Sequence, residues 1–389
     1  MDSPYLELES LTATLAALVG VNSVNPSHGG PVGGERAALE WCAAFLRRVG
    51  LEPRLTGASP ERPNLRVRLA GEGPGPPLML ESHIDTVSVS AMAFDPFAAR
   101  VERGRLFGRG ATDAKGQVAA MLHAVAAWAS SGRRPPRPIE LALVSDEEFG
   151  FMGARALVQE GIDAAGIVIG EPTDLRAVTT HKGTTRVHLR IEGRSAHAAK
   201  PELGVNAISA AAALVELIDT EYAAELRRRE APLLGCPTIS AGVIQGGLQV
   251  NLVPHECHLH LDRRTLPGET QAAIAAEFED LFARLRRRRP TFKAVWEPPT
   301  LIAEPIYTDP ECPLARIARQ AAAAQGGTSE PAGVDYATDA SILAATGLPI
   351  VIIGPGSIDQ AHTADEFIEL DEVLRGARLF ADLIGRATL

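Results

Sequence analysis

Residues 78–85 read Leu78-Met79-Leu80-Glu81-Ser82-His83-Ile84-Asp85. An apolar run of strand length ends in a histidine and an aspartate two residues apart. Side chains at i and i+2 of a strand point to the same side, so this imidazole and carboxylate can meet at the strand's C-terminal end. Open α/β sheets place their ligands at that end. A metal-binding histidine needs a carboxylate or carbonyl on its other ring nitrogen, and Asp85 is spaced to supply one. An isolated His-x-Asp is more often a polar turn, so the pair gains weight only from its company.

Working outward, Asn64–Leu69 alternates, with Leu65, Val67 and Leu69 on one face. Ile139–Val144 is apolar apart from Glu140 and runs into Ser145-Asp146-Glu147-Glu148. Gly166–Ile169 is a short buried strand closed by Gly170-Glu171-Pro172-Thr173. Helices are expected over residues 35–49, 115–129 and 153–160, with an amphipathic first helix carrying Leu11, Leu15 and Leu18. Strands alternating with helices predict a largely parallel sheet flanked by helices.

Past residue 180 the pattern changes. Residues 184–191 alternate strictly, followed by a helix over 206–228, strands over 238–244 and 255–264, a helix over 269–286 and a strand over 292–296. The order β-α-β-β-α-β is ferredoxin-like. An α/β pattern then returns, with helices at 314–323 and 340–345, a strand at 349–353 and a last helix from Asp371. The fold class expected is therefore α/β: a discontinuous catalytic domain (1–180 and 297–389) with an inserted ferredoxin-like α+β lid or dimerisation domain (181–296).

The chain has 389 residues, long enough for two cores, and its net charge of −10 argues against general nucleic-acid binding. Cys42, Cys236, Cys257 and Cys312 are scattered without a CxxC pair, which indicates neither a disulfide framework nor a thiolate zinc site and fits the cytoplasm. No run is long and apolar enough to span a bilayer, and the acidic residues before Leu11 do not suit a secretory leader.

Acidic and histidine residues recur after the apolar strands: His83 and Asp85, Asp113 in Gly108-Arg-Gly-Ala-Thr-Asp113, the pair Glu147-Glu148, Glu171, and His362 in Gln360-Ala-His362-Thr. Each has a bland alternative. Asp113 can cap the helix after it, Glu147-Glu148 can be a solvated loop, Glu171 a turn residue and His362 a surface histidine. Together they would converge on one sheet edge, and mixed N/O donors of this kind suit zinc, cobalt or manganese. Five ligands with one bridging carboxylate would hold two ions about 3.5–4 Å apart.

The blocks Ser82-His-Ile-Asp-Thr-Val87, Gly108–Gly116, Ser145-Asp-Glu-Glu148 and Gly170-Glu-Pro-Thr173 resemble the M20-type dinuclear zinc metallohydrolases over nearly the whole chain. That family includes acetylornithine deacetylases, succinyl-diaminopimelate desuccinylases, aminoacylases and glutamate carboxypeptidases. The resemblance implies two Zn2+ per subunit, with Co2+ as a substitute. His83 and Glu171 would bind one ion, Glu148 and His362 the other, and Asp113 would bridge them. It further implies that Asp85 orients His83, that Glu147 is the general base toward the attacking water, and that His197, in Gly193-Arg-Ser-Ala-His197, stabilises the oxyanion. Asn251 and Arg264 match substrate-binding positions, and an arginine suits a bidentate grip on a carboxylate. Asp339, Gly354 and Ser357 fall in segments like those of the acetylornithine deacetylases, although Asp339 replaces a typical glutamate and can equally cap the helix after it.

The implied substrate is a small acyl amino acid, N2-acetyl-L-ornithine first, with acetylcitrulline, acetyl-lysine, succinyl-diaminopimelate or a dipeptide as alternatives. The implied assembly is a homodimer through the inserted domain, without nucleic-acid or membrane partners. A non-catalytic binding protein on this scaffold and a two-metal phosphoesterase are the readings from other classes. His255-Glu-Cys257-His258-Leu-His260 also looks metal-rich but lies inside a strand, with His258 and His260 on one face, and reads first as structural. The run Arg286–Arg289 ends a helix, where positive charge complements the dipole.

Overall fold

The computed structural model describes residues 3–57 and 59–388; Met1, Asp2, Ala58 and Leu389 lie outside the described residues. The chain divides into two compact units, Met1–Thr179 with Thr308–Ala332 and Thr338–Leu389, and Thr180–Tyr307 with Gly333–Ala337.

In the larger unit Leu78–His83 is fully buried and lies at the centre of the main sheet. It pairs in parallel with Ile139–Val144 on one side (His83 opposite Val144) and Gly166–Ile169 on the other (Glu81 opposite Ile169). Ile350–Ile352 adds a further parallel strand beside Gly166–Ile169. Asn64–Leu69 runs antiparallel beyond Ile139–Val144, and Arg54–Thr56 antiparallel beyond that. Four neighbouring parallel strands therefore end on one rim, and the segments after His83, Val144, Ile169 and Ile352 leave the sheet together.

Helices Leu8–Val19, Gly34–Arg47, Gly116–Ser130, Pro313–Ala324 and Leu370–Gly385 supply the rest of this core. Gly116–Ser130 is buried on every side from Gly116 to Trp128, as expected for an alanine-rich helix without a polar face. A small second sheet, Arg100–Glu102, Arg105–Phe107 and Phe367–Glu369, was not expected from sequence. Its strands have three residues each, too few for alternation to register.

The smaller unit has the antiparallel order Thr238–Gly246, Glu256–Thr265, Gly183–Glu192, Lys293–Glu297, with Ile302–Ala303 also paired to Gly183–Glu192. This is the ferredoxin-like arrangement. Val187, Leu189, Ile191, Cys257, Leu259 and Leu261 point to one face, where they pack with Ala207–Leu217 and Gln271–Arg288. The helix expected over 206–228 runs from Ala207 to Leu226 and widens to a single π turn at Ile218–Tyr222. Hydrophobic spacing continues through Ile218, Tyr222 and Leu226, all buried, so periodicity gave no warning. Among the described residues, no helix is long and apolar enough to cross a membrane.

Candidate metal centre and active site

The rim of the larger unit collects the donors. His83 ends its strand with its imidazole buried. Its Nδ1 faces the Asp85 carbonyl at 3.0 Å and an Asp85 carboxylate oxygen at 3.5 Å. Its Nε2 lies 3.0 Å from Asp113 Oδ1 and 3.8 Å from Glu171 Oε1. The other Asp113 oxygen, Oδ2, is 3.3 Å from His362 Nε2, which in turn is 3.2 Å from Glu148 Oε2. Asp113 thus joins two histidines, one through each oxygen. Two donors on one tetrahedral ion with bonds of about 2.0–2.1 Å lie about 3.3 Å apart, and these separations fit that spacing. Among the described residues, the ion pairs of Glu148 and Glu171 run only to histidine. So many buried carboxylates without a lysine or arginine partner fit divalent cations.

The electrostatics follow from burial and crowding. Burial raises Glu147 and Glu171 well above the ordinary carboxylate range; His83 opposes the rise and neighbouring carboxylates add to it. Glu148 rises for the same first reason. Asp113 is lowered: burial works against it, but hydrogen bonds from His362 and His83 overcome that penalty. The Asp113 and Glu148 carboxylates push His362 up to about 10. His83 is raised well above 6.5 because Glu171, Asp113, Asp85 and Glu147 outweigh its burial.

The supports of this rim were largely missed in the sequence. Asp85 accepts the backbone N–H of Glu147 (3.1 Å) and of Glu148 (3.2 Å), so one carboxylate positions the glutamate pair as well as facing His83. Asn25, just before Pro26, donates to Asp85 (2.7 Å) and Asp146 (3.0 Å). Asp146 has φ +70°, and its N–H donates to buried Glu35, which pairs with Arg62 at 2.8 Å. Glu366 collects the N–H groups of Gly110, Thr112 and Asp113 at 3.0, 2.9 and 3.2 Å, with Arg109 Nη1 at 2.7 Å. The loop carrying Asp113 is therefore wound around one buried carboxylate. A signal existed: Arg109 lies inside a glycine-rich block that sequence reading treated only as a motif.

The remaining candidates divide. Gly354 is pinned to the Glu171 loop, its carbonyl accepting from Leu175 N–H at 2.9 Å and its N–H donating to Thr173 Oγ1 at 3.1 Å. A Cβ there would meet the Glu171 carbonyl at 2.6 Å, so only glycine fits. Ser357 bridges to Thr173 on the same loop. Asp339 does not cap its helix; Thr338 Oγ1 accepts from Ala340 N–H instead, at 3.2 Å. Its carboxyl is buried and interacts with that of Glu81, and burial pushes it up to about 7. A charged residue inside an otherwise apolar buried strand was the overlooked sign of Glu81. In the smaller unit, His197 bridges to Leu252, and the Asn251 carbonyl accepts from Ala198 N–H at 3.0 Å, so His197 and Asn251 lie on adjoining segments. Arg264 is on the strand Glu256–Thr265, its Nε donating to Asp262 at 2.7 Å.

Residues 79–386 match the family model described as Peptidase family M20/M25/M40. An acetylornithine deacetylase of Myxococcus xanthus is 29% identical over 379 residues, covering 95% of each chain. Among solved structures, a tripeptidase from Staphylococcus aureus superposes with a TM-score of 0.79 at 22% identity, covering 97% of this chain and 98% of that one. A dinuclear metal-binding M20 peptidase of Bacillus subtilis gives 0.71 at 15% identity, covering 97% of each. With a matched family model across most of its length and a rim of convergent histidines and carboxylates, the chain belongs to the M20/M25/M40 peptidase family and is a metal-dependent hydrolase of amide bonds.

Proposed function

We propose that the protein removes the acetyl group from an N2-acetyl-L-amino acid, N2-acetyl-L-ornithine before others, at a two-zinc centre. The observation that carries this reading is Asp113, whose two oxygens lie at 3.0 Å from His83 and 3.3 Å from His362. His83 and Glu171 would hold one ion and Glu148 and His362 the other, with Co2+ as a working substitute. Bound there, the ions would polarise the amide carbonyl and acidify a water. Glu147 takes the proton from the attacking water on its carboxylate and delivers it to the departing amine nitrogen. A carboxylate held beside the attacking water is the usual acid–base group for that exchange. Asp85 holds Glu147 and Glu148 by their N–H groups, so acid–base group and ligand are fixed by one side chain.

In this reading His197, from the same chain or a second copy, steadies the carbonyl oxygen as charge develops, and Arg264 with Asn251 grips the α-carboxylate. The ornithine assignment is supported by the similarity to the Myxococcus xanthus acetylornithine deacetylase. The smaller unit is read as a lid and dimerisation domain. Among the described residues the edge strand Thr238–Gly246 has a neighbour on one side only, and Ile244 within it and Leu248 just after it are exposed, which suits a second copy. Four free cysteines are compatible with a cytoplasmic setting. The test is a panel of acetylated, succinylated and dipeptide substrates, assayed with and without zinc or cobalt. Acetylornithine should give the highest kcat/KM, and activity should depend on added metal. A dipeptide or succinyl substrate turned over faster would overturn the substrate assignment, and full activity in chelator would overturn the metal centre.

A further inference from the structure

The smaller unit carries a second group of nitrogen and oxygen donors. Along Glu256–Thr265 burial alternates strictly, so Cys257, Leu259 and Leu261 enter the core while Glu256, His258 and His260 point to the helix-free face. Lys293–Glu297, the opposite edge strand, brings Glu297 to the same place. The ligand atoms of His258, His260 and Glu297 all lie within 4.8 Å of one another. We propose that His258, His260 and Glu297 form a separate mononuclear site for a borderline transition-metal ion such as Zn2+, Ni2+ or Cu2+.

The two nitrogens of His258 are already divided in the way a ligand requires. Nδ1 faces Glu297 Oε2 at 3.3 Å, the spacing of two donors on one ion with bonds of about 2.0–2.1 Å. Nε2 lies 3.0 Å from Glu256 Oε1, a carboxylate that would hold the N–H of a metal-bound ring. Glu297 is oriented too: its second oxygen sits 3.7 Å from Arg190 Nε. His260 stacks on His188, with ring centroids 4.0 Å apart and planes 12° from parallel. The carboxylates of Glu256 and Glu297 on either side of His258 give the place a negative field that a divalent ion meets. Imidazole with a single carboxylate selects zinc, nickel or copper over magnesium or calcium. Three protein ligands leave one position open to water. Such an ion would tie the central part of the sheet to its edge strand, so binding would raise the melting temperature of the unit.

The test is metal stoichiometry of the full chain, dialysed against excess zinc chloride and then metal-free buffer, with metal read by mass spectrometry. His260→Gln and Glu297→Gln, each half-exposed and outside the proposed catalytic residues, should each hold one ion fewer than wild type. Their zinc-free melting temperature and their turnover with metal restored should be unchanged. A His83→Ala variant counted in parallel reports on the catalytic centre alone. Equal zinc in wild type, His260→Gln and Glu297→Gln overturns the second site whatever His83→Ala does. A normal count in His83→Ala with loss in the other two overturns the catalytic assignment and supports this one.

Discussion

The two donor groups of this molecule are built from the same side chains on different architecture. In the larger unit His83, Glu148, Glu171 and His362 follow the ends of parallel strands, where each chain segment turns off the sheet and can aim a side chain inward, and Asp113 joins them from the loop after the small second sheet. Buried side chains with no ligand role hold them: Asp85 the Glu147-Glu148 turn, Glu366 the Asp113 loop, Asn25 both Asp85 and Asp146. In the smaller unit the donors stand in mid-strand on an open face, spaced by the two-residue repeat, and their supports, Glu256 and Arg190, are partly exposed. Strand ends therefore permit convergence of many donors under firm support, whereas a sheet face offers a few with looser support. The first arrangement suits chemistry and the second suits holding an ion.

The sharpest break in that comparison lies at Glu147. Glu147→Gln should lower kcat by about 10²–10⁴-fold while metal content stays at the wild-type level, because Glu147 is not among the proposed ligands. Near wild-type turnover would remove it as the base. Support strength comes next. Glu366→Ala leaves buried Arg109 unpaired and three N–H groups without an acceptor, which should cost about 3–5 kcal/mol in urea unfolding. Arg190→Ala, which strips the partly exposed pairs with Glu192 and Glu297, should cost at most about 1 kcal/mol. Comparable losses would mean that the two groups are supported alike. Asp85→Ala should weaken zinc affinity or activity by about 10–100-fold. Asn25→Ala, which removes only one of the hydrogen bonds to Asp85, should do so by less, as read by zinc titration against a chelating dye.

The same contrast explains what could be read beforehand. Donors after apolar strands are legible because a buried strand has a recognisable composition and its end is a defined place, so His83, Glu148, Glu171 and His362 stood out together, while Asp113 stood out by its glycine-flanked block Gly108–Gly116. Their supports were not legible, because Asn25, Glu35 and Glu366 act across gaps of 60 to more than 250 residues that no local pattern spans. Glu81 and Asp339 illustrate the cost of reading locally: a helix cap explained Asp339 well, yet its partner is a strand residue far away in sequence. In the smaller unit the strand alternation correctly put His258 and His260 on one face, but Glu297 comes from a strand that sequence spacing does not link to them.

Acid sensitivity tests whether the two units respond to pH alike, since each buries a neutral histidine. His123 lies between the Tyr5 carbonyl at 2.6 Å and Thr14 Oγ1 at 2.8 Å, and His181 has Nδ1 2.9 Å from the Lys182 carbonyl. Burial pulls both down from 6.5 to about 4, with hydrogen bonds to backbone carbonyls opposing. The unfolded chain therefore takes up these protons near pH 6.5 and the folded chain only near 4. Between those values the unfolded state binds more protons, so stability falls as pH falls, and above that window these groups contribute no slope. His123→Gln and His181→Gln should each flatten part of the acid-side decline in urea midpoint, and the double variant should flatten it by about the sum, since the two sites share no partner. If His123→Gln alone removes the whole decline, the smaller unit contributes nothing to acid sensitivity and His181 is solvated enough to titrate as it does in the unfolded chain.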